Sequence, residues 1–296
     1  MASGEVPSTP VWERVSRLVS AKALAWHRIV GGHTAAERWI AHFDDGSSAF
    51  VKAATSAETT AWLRTEYYVY THVSASFMPT LLGWDDGDCP ILLLENLQDA
   101  IWPPPWSGAQ IQRIRSTLTE LAATRPPRDL PMLESFRADL MGWRKIAEEP
   151  APFLSLRLCS AEWLSIALPT LLAAEATAQL SGDSLVHLDV RSDNICFAGD
   201  RTILIDWNWA CRGNALMDLA AWLPSLNAEG GPAPAEIMPD TPAFAALMAG
   251  YFASKAGLPP PRTGSKLRDL QMRQLKAALP WAVRTLLLPD PLMDGN

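Results

Sequence analysis

The chain has 296 residues, of which 48% are apolar and 19% charged, with a formal net charge of −7. The apolar content suffices for packed cores and excludes global disorder. The acidic balance argues against a nucleic-acid-binding protein, which needs a basic face for phosphates, and is compatible with a cationic small-molecule partner.

Apolar residues at helical spacing (Val11, Val15, Leu18, Val19) predict a short helix over 11–24. Three short strands follow at 26–30, 36–43 and 49–53, the first pair separated by Gly31-Gly32 and the second by Asp44-Asp45-Gly46-Ser47, a hairpin signal. Trp62, Glu66, Val69 and Val73 predict a helix over 59–73, and two further strands are expected at 80–84 and 90–94. Pro103-Pro104-Pro105 breaks the chain, after which helices are expected over 107–123, 132–148, 160–180, 214–226, 241–255 and 265–287. Two short β-like runs, 195–197 and 202–205, interrupt them, and 229–241 is the most loop-like stretch. The pattern implies an α+β chain. Residues 1–96 form a small antiparallel-sheet lobe and residues 97–296 a larger, mostly helical one.

Cys89, Cys159, Cys196 and Cys211 show no C-x-x-C spacing, and the five histidines do not cluster with them, so zinc and redox-motif readings are poor and reduced thiols expected. No run of about 18 apolar residues and no basic-then-apolar leader is present, so neither a membrane span nor a secretory signal is expected, and the expectation is a cytoplasmic chain.

The strongest chemical signal is His187-Leu188-Asp189-Val190-Arg191-Ser192-Asp193-Asn194, followed by the apolar run 202–205 and Asp206-Trp207. Phosphoryl transfer needs a carboxylate to accept the proton of the attacking hydroxyl. It also needs oxygen ligands on rigid backbone to hold magnesium against a triphosphate. An Asp and an Asn five residues apart on one loop, with a second Asp ending the next hairpin, can supply these groups.

This pattern resembles the signature of the aminoglycoside phosphotransferase and choline kinase family, distant relatives of protein kinases with H-R-D-x-x-x-x-N and D-F-G. The resemblance implies a two-lobed protein-kinase-like fold. It makes Asp189 the base, Asn194 and Asp206 the ligands of Mg2+, and His187 a brace for the loop. Gly213 and Asp218 match the segment after the metal Asp, with Asp218 supporting the loop from a helix. Lys52, ending the third strand, is expected to hold the nucleotide phosphates and to pair with Glu66. Gly31, Gly32 and His33 lie where a loop would cover the phosphates. Glu95 and Leu97 fall at the position whose backbone groups bind the purine, and Arg191 is placed either to clamp the γ-phosphate or to pair with Asp193.

The donor expected is ATP or GTP, with direct in-line transfer. The acceptor is a small-molecule hydroxyl, since no D-F-G, A-P-E or long activation segment points to a protein substrate. An antibiotic such as an aminoglycoside stands first and a metabolic alcohol (choline- or homoserine-like) second. A non-catalytic nucleotide-binding module and a purely structural helical protein are the other classes considered. Of 13 tryptophans, Trp207, Trp209 and Trp222 flank the motif and Trp102, Trp106 and Trp143 lie in the helical lobe. Their indole faces suit an ammonium, and burial in a core is the competing role. No nucleic-acid or membrane partner is expected, and the sequence carries no signal for an oligomeric state.

Overall fold

The structure, a computed structural model, describes residues 6–30, 35–260 and 266–291. Its contacts divide the chain into two compact units, one of residues 1–103 with 193–210, the other of 104–192 with 211–296. The first change of unit falls a few residues beyond the expected 96/97 boundary, and the segment carrying Asn194 and Asp206 groups with the first unit.

The first unit opens with α1 (Thr9–Val19), then β1 (Ala23–Arg28), β2 (Glu37–Phe43), β3 (Ser48–Ala53), α2 (Ala57–His72), β4 (Leu81–Asp85) and β5 (Ile91–Glu95). The five strands form one antiparallel sheet in the order β1-β2-β3-β5-β4. Side chains alternate across a strand. Val51 and Ala53 therefore join Trp26, Trp39 and Leu93 in a core covered by Val11, Trp12, Leu18 and Val19 of α1. Lys52 takes the opposite face. Arg14 fastens α1 to β4 through both carboxylate oxygens of Asp85, at 2.8 and 2.9 Å. Ser56 caps α2 by accepting from the Thr59 N–H, which satisfies an otherwise orphaned donor of the first turn.

In the second unit, α3 (Gly108–Ala123) begins at the capping residue Ser107. The helix expected over 132–148 is broken into a 3-10 turn (Leu133–Phe136), α4 (Arg137–Leu140) and α5 (Gly142–Glu148), with Met141 in extended backbone between the last two. The break has a packing reason. A Cβ on Gly142 would lie 1.7 Å from the Gly250 carbonyl oxygen, so α5 meets the later helix Pro242–Ala256 backbone to backbone and cannot continue the line of α4. There follow α6 (Ala151–Leu154), α7 (Ala161–Ala176), β6 (Ser184–Val186), and, in the first unit, the hairpin β7 (Ile195–Ala198) and β8 (Arg201–Leu204). The second unit resumes with β9 (Cys211–Gly213), paired to β6, and α8 (Leu216–Ala228). It ends with α9 (Pro234–Ile237) inside the stretch read as loop, α10 (Pro242–Ala256) and α11 (Leu267–Thr285).

Helix α10 is the core of this unit: Phe244 through Gly250, Phe252, Ala253 and Ala256 are all buried. All four cysteines are free. Among the described residues no helix is long and apolar enough to cross a membrane.

Candidate functional site

In the first unit, β3 and α2 bring Lys52 and Glu66 together, although 14 residues separate them in the chain. Lys52 is 6% exposed and Glu66 1%. The ammonium bonds Glu66 and also Asp206 Oδ1, the latter at 2.6 Å and 154 residues away. One cation thus serves two carboxylates. Burial pulls the lysine pKa down, but Asp206 and Glu66 outweigh it and hold the value above the ordinary one. Burial pushes both carboxylates up. Lys52 more than offsets this at Asp206, which is held below the usual range, whereas Glu66 stays raised beside the Asp206 charge.

Asn194 and Asp206 are positioned by the β7–β8 hairpin. Ile195 pairs with Leu204, and the Ile205 N–H donates to the Asn194 carbonyl at 3.0 Å, so Asn194 stands across from the residue that precedes Asp206. Asp206 itself has φ 69°, a left-handed conformation that disfavours a residue with a Cβ. The amide oxygen of Asn194 and the carboxylate of Asp206 are hard oxygen donors of the kind that suits Mg2+. Among the described residues no group of three or more His, Cys, Asp or Glu could hold a metal by protein ligands alone.

In the second unit, β6 delivers the chain to the loop 187–192. Asp218, in the first turn of α8, accepts the N–H of His187 at 2.8 Å and of Leu188 at 2.7 Å. Burial pushes its pKa up to about 7 against the pull of these two donors. His187 is fully buried, and its Nδ1 accepts the Asp189 N–H at 3.2 Å, which places the neutral ring's proton on Nε2. Leu188 has φ 64°, a second strained residue held by this network. The Asp189 side chain, 26% exposed, has Arg191 Nε at 3.4 Å from Oδ1, so the arginine flanks the carboxylate two positions before it.

The remaining expected residues fall as follows. Gly31, Gly32 and His33 lie outside the described residues. Glu95 ends β5. Burial raises its pKa, but the Arg201 guanidinium at 2.7 Å and the Thr80 N–H hold it lower than ordinary. The Leu97 carbonyl accepts from Trp102 Nε1 at 3.2 Å. Trp143, Trp207 and Trp222 are fully buried, whereas Trp102 and Trp209 are partly exposed.

One side chain that feels the charge of Asp189, and a second stacked on it, were not singled out from the sequence. Tyr251 is pushed up to about 12 by burial, then by the charge of Asp189, and Lys255 lies over its ring at 4.7 Å. Both sit in the apolar run of α10, where only their i, i+4 spacing marks them.

A five-stranded antiparallel sheet with its lysine-bearing strand before a glutamate-bearing helix, followed by a helical unit carrying the H-x-D loop, is the protein-kinase-like fold. The family description "Phosphotransferase enzyme family" matches residues 26–252, and the chain belongs to that family. A search of curated proteins by sequence found no match. Among solved structures, the chain is similar to a spectinomycin phosphotransferase in complex with ADP and spectinomycin. The TM-score is 0.63 and the identity 14%, covering 96% of this chain and 99% of that one. It is similar also to a choline/ethanolamine kinase family protein from Mesorhizobium loti (TM-score 0.58, 13% identity, 93% and 97% covered). A third is an amicoumacin kinase with AMP-PNP, Ca2+ and Ami (TM-score 0.56, 12% identity, 96% of each chain covered). At these identities the likeness is one of fold.

Proposed function

We propose that the chain is a Mg-nucleotide-dependent O-phosphotransferase that moves the γ-phosphate of ATP or GTP onto a hydroxyl of a small molecule, an antibiotic such as an aminoglycoside in the first place. The observation that carries this reading is the buried ammonium of Lys52 held between Glu66 and Asp206. Burying a lysine with two acids carries a desolvation cost, and groups perturbed in this way gather at functional sites; a nucleotide triphosphate is the charged ligand that suits membership of a phosphotransferase family.

Lys52, fixed by Glu66, holds the nucleotide phosphates. Asn194 and Asp206 are the metal ligands, and a bound divalent cation supplies neutralisation of the charge that develops on the transferred phosphoryl group. Asp189 orients the acceptor hydroxyl and takes its proton, on a loop whose backbone is fixed by Asp218 and His187. Arg191 balances negative charge beside it. Glu95 and Leu97 flank the base through main-chain atoms, and Gly31, Gly32 and His33 cover the phosphates. Similar folds solved with spectinomycin and with Ami support the antibiotic reading, and the choline/ethanolamine kinase fold represents the metabolic-alcohol alternative.

The test has two stages. Mg-ATP or Mg-GTP should raise the melting temperature, since a ligand at a hundredfold excess over Kd stabilises by about 2.7 kcal/mol. Labelled γ-phosphate should then appear on at least one compound of a panel of hydroxylated antibiotics and small alcohols. No stabilisation by either nucleotide would sink the reading. Binding without transfer or hydrolysis would leave a non-catalytic nucleotide-binding module, and transfer to choline-like alcohols alone would move the substrate to metabolism.

A further inference from the structure

Glu229 closes α8, its N–H bonded to the carbonyls of Leu226 and Asn227. A carboxylate there faces the negative end of the helix, where acids are disfavoured. Two donors from distant parts of the second unit nevertheless fix it. Ser192 Oγ donates to Oε1 at 2.5 Å, and Trp106 Nε1 donates to Oε2 at 2.8 Å. Trp106 is itself set edge-on against the fully buried Trp222 of α8, with ring centroids 5.6 Å apart.

Ser192 gives this carboxylate its significance. It stands three residues after Asp189, is 9% exposed, and is the last residue before the chain passes into the first unit. The entrance of the same loop is held by Asp218, from the first turn of α8. One helix therefore grips the loop twice, at 187–188 from its N-terminal turn and at 192 from its C-terminal end, with about 16 Å of helix between the two acids. Asp189 and Arg191 lie between the grips. The first grip uses backbone N–H groups, which any residue would offer. The second uses a hydroxyl that a single substitution removes.

We infer that Glu229 is a positioning residue that, through the Ser192 hydroxyl, fixes the far end of the loop 187–192 and with it the carboxylate of Asp189. Trp106 keeps the Glu229 carboxylate aimed at Ser192. The effect on turnover rests on the reading of Asp189 as the base; the effect on the loop is independent of it. A base displaced by about 1 Å loses on the order of a hundredfold in rate, so a partial loosening is felt in kcat before it is felt in folding.

The test combines amide hydrogen exchange with kinetics on the full chain, for wild type, Glu229→Ala, Ser192→Ala and the double variant. Exchange at 188–192 should rise about tenfold in either single variant, the double variant should add little, and amides of α10 and α11 should stay unchanged. With Mg-ATP and an accepted acceptor, or water, kcat should fall about tenfold in each while the nucleotide KM stays within about twofold. Loop exchange within about twofold of wild type in both single variants would overturn the inference. So would a raised acceptor KM in Glu229→Ala with an unchanged kcat in Ser192→Ala, since that would make Glu229 an acceptor ligand. A wild type that turns over nothing, with loop exchange altered as described, would end the phosphotransfer reading and leave the positioning role standing.

Discussion

In the first unit, opposite charge fixes the chemically active groups: Lys52 is buried between Glu66 and Asp206, and its ammonium keeps Asp206 ionised while the Glu66 pKa is raised by burial and by the Asp206 charge. In the second, backbone does the fixing at the entrance of the loop. Asp218 accepts two consecutive N–H groups, His187 accepts a third, and Asp189 is left with a quarter of its side chain open to solvent. A charge-locked set cannot lose a member without leaving uncompensated charge in its interior. A backbone-locked loop can lose its reactive side chain and keep its shape.

The substitution with the largest expected effect tests the second half of that contrast. Asp189→Asn should lower kcat by about a thousandfold, while the melting temperature and the affinity for Mg-nucleotide stay close to wild type. Assays of the two properties on one preparation check it, and a large drop in melting temperature would break the contrast. Lys52→Ala tests the first half. Removing the cation leaves the buried Glu66 and the partly exposed Asp206 without their counter-charge, and a stability loss of about 3 kcal/mol in urea unfolding should accompany weakened nucleotide binding. A variant that loses affinity with unchanged stability would show that charge is not what holds the set.

Glu175 sharpens the comparison at smaller scale. It is fully buried in α7 and accepts the N–H groups of Trp143 and Arg144 at the start of α5, which repeats the backbone device of Asp218. Burial pushes its pKa up to about 7 from 4.5, against the pull of these donors. The folded chain therefore holds an extra proton between about pH 4.5 and 7, and this contribution to stability is lost as pH rises through that window. Relative to Glu175→Gln, wild type should lose on the order of 3 kcal/mol between pH 4.5 and 8, read from unfolding curves across pH. A flat difference would mean that the carboxylate is ionised throughout.

The sheet and its following helix were legible because their signals are local: alternation in 36–43 and 49–53, Asp-Gly at the turn, and helical spacing around Glu66. The broken stretch 132–148 was not, because its apolar spacing reads as one helix and the cause of the break, the close approach to Gly250, is more than a hundred residues away. The grouping of 193–210 with the first unit rests on long-range links of the same kind, such as the Leu204 N–H to the Phe77 carbonyl and the Ile101–Phe197 bridge. In the candidate site, the H-x-D loop stood out as a motif. Glu229 did not, since an acid before Gly230-Gly231 reads as an ordinary solvated turn until its two donors are seen.

The meeting of Gly142 and Gly250 also limits how the scaffold can drift. A methyl group at Gly142 would overlap a carbonyl oxygen, and one at Gly250 would fall 2.6 Å from the Trp143 ring. The two positions admit hydrogen alone, so the seam between α5 and α10 can neither widen by small steps nor exchange one large residue for another, as ordinary cores do. Variation that leaves the helical unit intact is channelled to the outward faces of its other helices and to the turns that join them.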